Sequence, residues 1–201
     1  MKPWHVEIFG GPVHLGDYST LIATPDRKVR LTVWSDLRGE GRIVIGKYCL
    51  ICPGVRISAA TEIIVGESCM LAQGAFLTDA DWHGVYDRSE SIGRTIPTRI
   101  GDNVWIGDSV IVCKGVQIGE NSIIGAGAVV SRDIPANVVA AGNPAVVLKA
   151  LEPGQPIKTR AQWLSDPAAL AVQFDQIDRH LMQDNTWPGW IRSILFPRKG
   201  D

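Results

Sequence analysis

Residues 100–135 read IGDNVW IGDSVI VCKGVQ IGENSI IGAGAV VSRDIP. An aliphatic residue leads each block of six: Ile100, Ile106, Val112, Ile118, Ile124 and Val130. A small residue follows it, Gly101, Gly107, Cys113, Gly119, Gly125 or Ser131, and the fifth position holds Val104, Val110, Val116, Ser122, Ala128 or Ile134. A helix repeats about every 3.6 residues and a strand every two, so a period of six belongs to neither alone. It marks a parallel β-helix in which each block forms one flat side of a coil, about eighteen residues per three-sided turn. The leading aliphatic residue points into the core, and a small residue suits the tight corner after it.

The register extends towards the N-terminus. Residues 15–20 fit one block and Leu21 opens the next, before TPDRK at 24–28 interrupts with a turn signal. Leu31 and Val33 alternate as in a strand, and residues 36–42 read as a polar loop, so the first coil is imperfect. Ahead of it, Trp4, Val6, Ile8 and Phe9 suggest a short strand that is buried or at an interface. Ile45, Ile51 and Ile57 lead three blocks, with Cys49, Val55 and Thr61 in the fifth positions. After a two-residue insertion around Ile63-Ile64, Val65, Leu71 and Leu77 lead three more, with Cys69, Ala75 and Asp81 fifth. An acid at a small-residue position marks where the coil is left. Residues 79–98, DADWHGVYDRSESIGRTIPT, carry no repeat. A long loop inside a compact repeat array is where function concentrates.

The chain has 201 residues, enough for one full core, with 20 basic against 21 acidic side chains. That balance gives no reason to expect a nucleic-acid partner. No apolar run reaches membrane-span length, and MKPWHVEIF lacks the parts of a signal peptide, so a cytoplasmic location is expected. Cys49-Leu50-Ile51-Cys52 is a CxxC, but all four cysteines fall at fifth or second block positions. They read as small hydrophobes inside the prism rather than as metal ligands or disulfides. Beyond residue 150 the period changes. Thr159-Arg160-Ala161-Gln162 is a candidate capping box, and Asp166-Pro167 an N-cap followed by proline at the first helical position. Leu170, Phe174, Ile177 and Leu181 form one helical face, and Trp187, Trp190, Ile191, Ile194 and Leu195 a second, shorter one. The expected organisation is a β-helix over 1–150 with its inserted loop at 79–98, and an α-helical extension over 151–201. The extension is expected to cover an end or side of the prism. Contact of Arg192, Arg198 and Lys199 with a membrane surface is the alternative.

Repeat and tail, AAGNPAVVLKA at 140–150, together resemble the hexapeptide-repeat acyltransferase superfamily. Within it the resemblance is to the acetyl-CoA-dependent O-acetyltransferases of galactosides, maltose and polysaccharides. The resemblance implies left-handed coils in a triangular prism, a homotrimer, acetyl-CoA as co-substrate without a metal, and a sugar or glycan acceptor. It places His83 on the family's catalytic histidine. Of the four histidines His83 alone lies in the unrepeated loop, and imidazole titrates in the range a general base needs. Asp81 is the acid expected to orient it, with Asp79, Glu90 or a backbone carbonyl as alternatives. The resemblance lays the coenzyme in a groove between subunits, past Trp105, Gly107, Asp108, Gly125, Ala126, Ser131 and Arg132, with Lys149 near its phosphates. Each small residue there has an equal claim as plain repeat geometry. Two departures stand out. Val146 occupies a place where the family often has arginine, and CPGVRISAA at 52–60 lacks the polar residues that hold galactoside or maltose. A γ-class carbonic anhydrase would need three zinc-ligating histidines, which the coil region does not hold. A non-catalytic scaffold, N-acetylation of an amino sugar and transfer of a longer acyl chain remain as other readings.

Overall fold

The computed structural model describes residues 3–34, 41–182 and 186–196. The chain divides into two compact units, Met1–Ala161 and Gln162–Asp201. The described residues of the first form a stack of six three-sided coils. Coil 1 contains β1 (Val6–Phe9), β2 (Val13–Leu15) and β3 (Thr20–Leu21), and coil 2 contains β4 (Val29–Val33), β5 (Arg42–Ile45) and β6 (Leu50–Ile51). Coil 3 has β7 (Arg56–Ala59), β8 (Glu62–Val65) and β9 (Met70–Leu71), and coil 4 has β10 (Phe76–Thr78), β11 (Thr98–Ile100) and β12 (Trp105–Ile106). Coil 5 has β13 (Ile111–Val112), β14 (Gln117–Ile118) and β15 (Ile123–Ile124). Coil 6 runs through β16 (Val129–Val130), a single bridge from Ile134 to Ile118, and β17 (Val138–Ala141). Corresponding strands stack in parallel into three faces, A from β1, B from β2 and C from β3. Strand β18 (Val146–Ala150) then turns back antiparallel against β17 and ends face C. The architecture is a left-handed parallel β-helix.

The core follows from the period. Every leading aliphatic residue from Ile45 to Val130 is buried, and equivalent ones sit directly above each other in register. Each large aliphatic side chain taken from water contributes roughly 1.5–3 kcal/mol. Leu15 leads a block yet is 42 % exposed, because it lies in the end coil. The strand expected from Trp4, Val6, Ile8 and Phe9 is β1, paired residue for residue with β4, but Trp4 lies ahead of it and Ile8 and Phe9 are exposed in this chain rather than buried. The extra residues near Ile63-Ile64 lengthen the B strand: Ile63 joins the core in register with Ile43 and Thr98. Cys49 and Cys69 lie in the core, while Cys52 and Cys113 are half-buried at corners.

The small residue at the second position has a different cause from the one the period suggests. The left-handed backbone falls at the fourth position instead, as at Tyr48, Ser68, Asn103, Ser109 and Asn121. The second-position glycines are required by stacking. A Cβ on Gly66 would lie 2.7 Å from the carbonyl carbon of Gly101 and 2.8 Å from the nitrogen of Asp102 in the next coil.

Residues after 150 first stay with the β-helix. The N–H of Leu151 donates to Asn137 O at 2.8 Å, and Arg160 Nε donates to Tyr48 O at 2.8 Å. The first unit accordingly runs to Ala161, past the change of period at 150. Helix α1 (Arg160–Trp163) starts directly after Thr159. In the second unit, α2 (Pro167–Met182) is capped by Asp166, whose carboxylate accepts from Ala169 N at 3.0 Å. Helix α3 (Trp187–Leu195) is capped by Thr186. Phe174 of α2 meets Trp163 edge-on at 5.9 Å. The Leu181 side chain, Arg198, Lys199 and most of the loop expected at 36–42 lie outside the described residues. Among the described residues no helix is long and apolar enough to cross a membrane.

Candidate active site

The unrepeated loop leaves face A after β10 and returns at β11, so it sits on the edge between faces A and B. Its two arms are tied together at the base. Ile96 N donates to Asp79 O at 2.8 Å, Asp81 N to Arg94 O at 2.9 Å, and Gly93 N to Asp81 O at 2.8 Å. The first residue of the loop, Asp79, is fully buried. Its carboxylate accepts the N–H groups of Ala60, Thr61 and Glu62 at 2.7, 2.7 and 2.6 Å, and the Thr61 hydroxyl at 3.0 Å. Such charge-assisted bonds are the stronger kind, and they fix the loop to the corner of coil 3. At its tip, Ser89 donates its hydroxyl and then its N–H to Asp87, holding that carboxyl below its ordinary range.

His83 is exposed within this loop, with Nδ1 3.2 Å from the carbonyl oxygen of Glu90. A carbonyl only accepts, so this contact places the proton on Nδ1 and leaves a lone pair on Nε2. That is the tautomer a base requires. Gly93 packs so tightly against the carbonyl of His83 that a Cβ there would overlap it. The Asp81 carboxylate takes a different partner, Lys114 Nζ at 2.6 Å. The group at Nδ1 is thus a backbone carbonyl, the alternative left open in the sequence, and Asp81 instead ties the loop to the corner of coil 5.

The residues expected along the coenzyme fall on another part of the prism. On face C the outward positions Leu50, Met70, Trp105, Ile123, Val139 and Lys149 stand in register from β6 to β18. Trp105 is 46 % exposed in that column and Lys149 ends it. Gly107 and Asp108 follow β12, and Gly125 and Ala126 follow β15, on the edge between faces C and A. A Cβ on Gly107 would lie 2.7 Å from Ala126 N, so these two corners are in backbone contact. Ser131 and Arg132 follow β16 and lie on the A–B edge, one coil above Lys114. One chain therefore forms two groups. Asp81, His83, Ser131 and Arg132 share the A–B edge, whereas Trp105, Gly107, Asp108, Gly125, Ala126 and Lys149 line face C and the C–A edge. Among the described residues no cluster of three metal-ligating side chains occurs.

A family model described as bacterial transferase hexapeptide (six repeats) matches residues 97–132. The crystal structure of a hexapeptide-repeat-containing acetyltransferase from Vibrio cholerae aligns with a TM-score of 0.55 at 29% identity, over 69% of this chain and 74% of that one. Residues 97–132 are thus hexapeptide repeats of the bacterial-transferase type. Another structure of the Vibrio cholerae protein, complexed with acetyl-CoA, aligns with a TM-score of 0.50 at 25% identity, over 69% of this chain and 71% of that one. Among curated relatives, the galactoside O-acetyltransferase of Escherichia coli is 42% identical over 89 residues, 43% of each chain. This hexapeptide-repeat chain spans about a third to under half the length of the curated relatives it matches.

Asp79, expected only as an alternative orienting acid, is the anchor of the loop, and Glu90, expected as an acid, acts through the backbone carbonyl that accepts from His83 Nδ1. Sequence reasoning also did not foresee that Trp82 would meet Trp34, with ring centroids 6.5 Å apart. The corner Ala60-Thr61 beneath the loop, short and without bulky side chains, is the one signal that something packs on it.

Proposed function

We propose that this chain transfers an acetyl group from acetyl-CoA to a hydroxyl of a sugar or glycan, with His83 as the general base. The observation that carries the reading is the His83 Nδ1 contact with Glu90 O in a loop anchored at both ends. Nε2 takes the proton of the acceptor hydroxyl as its oxygen attacks the thioester carbonyl. The tetrahedral intermediate collapses with loss of the coenzyme thiolate, to which the imidazolium returns the proton. A positioned base contributes roughly 10²–10⁴-fold to such a step. The oxyanion is met by backbone N–H groups at the small-residue corners.

The donor reading draws on the acetyl-CoA complex of the Vibrio cholerae protein, and the acceptor class on the galactoside specificity named for the Escherichia coli relative. In our reading the coenzyme lies along the Trp105–Lys149 column with its pantetheine over Gly107 and Gly125. Because His83 and that column occupy different edges of one prism, a full site takes His83 from one copy and the column from its neighbour. A closed ring of prisms pairs every such edge, and the resemblance to the hexapeptide-repeat acyltransferases makes that ring a homotrimer.

Calorimetric titration of the purified protein with coenzyme A and with acetyl-CoA tests this reading without any choice of acceptor. The expected result is saturable binding of about one coenzyme per chain. A folded, oligomeric protein that takes up no coenzyme at millimolar concentration would overturn it.

A further inference from the structure

We propose that the lower part of face A, over coils 2 and 3, is the acceptor surface, and that the acceptor it fits is an acidic glycan. The proposal rests on the reading of His83 as the base.

Face A changes chemistry along its strands. At the C–A edge lies a cavity of about 200 Å³ lined by Asp26, Arg27, Lys28, Arg30, Gly54 and Arg56. Glu7 pairs with Lys28 at 2.6 Å and with Arg30 at 2.8 Å. Among the described residues neither Arg27 nor Arg56 forms an ion pair; the Arg56 guanidinium lies over the Phe76 ring at 4.4 Å. Four cations thus face two carboxylates, Glu7 and Asp26. In the middle of the face Thr32 and Ser58, in register on β4 and β7, stand outward with their hydroxyls 3.0 Å apart. At the A–B edge Trp34, 47 % exposed, directly follows the strand. Its ring lies 4.9 Å from that of Phe9 at a tilt and 6.5 Å from that of Trp82 in an edge arrangement, centroid to centroid. Trp82 is the residue before His83, so this aromatic row ends at the proposed base.

Each part has its own use. Flat, half-exposed aromatic faces need a partner, and the C–H face of a sugar ring supplies one while its hydroxyls meet Thr32 and Ser58. Guanidinium forks match a carboxylate or phosphate oxygen pair. The cavity is smaller than the roughly 300 Å³ at which small-molecule pockets begin, so it takes one charged group and not a nucleotide. From Arg30 to Trp34 the extended chain covers about 13 Å, the length of two or three linked sugar rings. A uronate-type carboxylate in the cavity would then leave a ring two units away on Trp34 and Trp82, beside His83. A neutral sugar would give the surplus cations nothing to do.

The full-length protein would be titrated with trigalacturonate and with its methyl ester, which keeps the rings and removes the charge, at low salt. Acetyl-CoA affinity would be measured on the same preparations. The expected result is trigalacturonate binding that exceeds ester binding by about tenfold or more and weakens as salt is raised. Arg27→Glu should remove that preference, Trp34→Ala should weaken both ligands, and neither should change acetyl-CoA affinity. Equal binding of acid and ester overturns the proposal. So does competition between coenzyme A and trigalacturonate, which would make the cavity a coenzyme phosphate site. So does absence of trigalacturonate binding in a protein that takes up acetyl-CoA. Loss of acetyl-CoA binding alone would count against the function proposed above and leave the charge preference as a separate result.

Discussion

Two edges of the same prism are built by opposite rules. Between faces B and C the corners are residues 16–19, 46–49, 66–69, 101–104 and 119–122, the same length in five successive coils. Between faces A and B the fully described corners are residues 10–12, 60–61, 79–97 and 113–116, and no two have the same length. The constant edge is held by backbone stacked on backbone, with glycine leading each corner at 16, 46, 66, 101 and 119. The variable edge has no such column, so its corners can lengthen without disturbing the stack. It is there that Trp34, Trp82, His83 and Lys114 gather. A solenoid separates stability from function by edge, since each repeat contacts only its neighbours.

The sharpest way to break this contrast is one methyl group on the constant edge. Gly66→Ala places a Cβ against the backbone of Gly101 and Asp102, and backbone cannot turn aside as a side chain can. We expect a loss of about 3–4 kcal/mol in chemical denaturation. Tyr86→Ala, at the tip of the variable edge where the ring is 99 % exposed, should change stability by less than about 0.5 kcal/mol. Comparable losses in the two variants would refute the division.

The variable edge has one point where it does bear load. Asp79→Ala strips the acceptor from three corner N–H groups and the Thr61 hydroxyl. A cost of about 3 kcal/mol is expected for leaving such groups unmet, together with faster amide exchange at Ala60, Thr61 and Glu62. If those amides stay protected, the loop is held by something other than its first residue.

His83→Ala should lower turnover by about a hundredfold, near 2.7 kcal/mol in the barrier, with melting temperature and acetyl-CoA affinity unchanged. Asp81→Asn provides the contrast. If the Glu90 carbonyl orients the ring, turnover should fall by less than about threefold, since the half-exposed Asp81–Lys114 pair is worth at most about 1 kcal/mol. A collapse in the Asp81 variant equal to that in the His83 variant would restore the carboxylate to the orienting role.

What could be read from the sequence divides along the same line. The leading aliphatic residues announced the coils because burial demands the same chemistry at every turn. The loop could be found as a break in that period, and His83 as its one imidazole. The group at His83 Nδ1 could not, because a backbone carbonyl leaves no residue-type mark. Asp79 gave no warning either, since its burial depends on N–H groups of the coil beneath. The second-position glycines were recognised as small for the wrong reason: their constraint comes from the next coil, while the positive backbone angles sit at Tyr48, Ser68, Asn103 and Asn121. The end of the first unit at Ala161 was hidden because Arg160 reaches across 112 residues to a carbonyl, a polar contact without periodicity.

The smallest effect is expected on face A, between the two edges, at Glu7. Lys28 and then Arg30 donate to its carboxylate and hold its pKa below the ordinary glutamate value of about 4.3. A carboxyl with a depressed folded pKa stabilises the fold above its unfolded pKa and loses that contribution as pH falls through the folded one. Acid titration of stability should therefore show a shallow decline beginning near pH 4.3 that flattens in Glu7→Gln. The group is open to solvent, so the change is small, and raised salt should shrink it further. The same variant removes one of the two carboxylates facing the basic cavity. It should tighten trigalacturonate binding while slightly weakening the β1–β4 contact, so affinity and stability should move in opposite directions. If both fall together, Glu7 arranges the cations of the cavity more than it neutralises them.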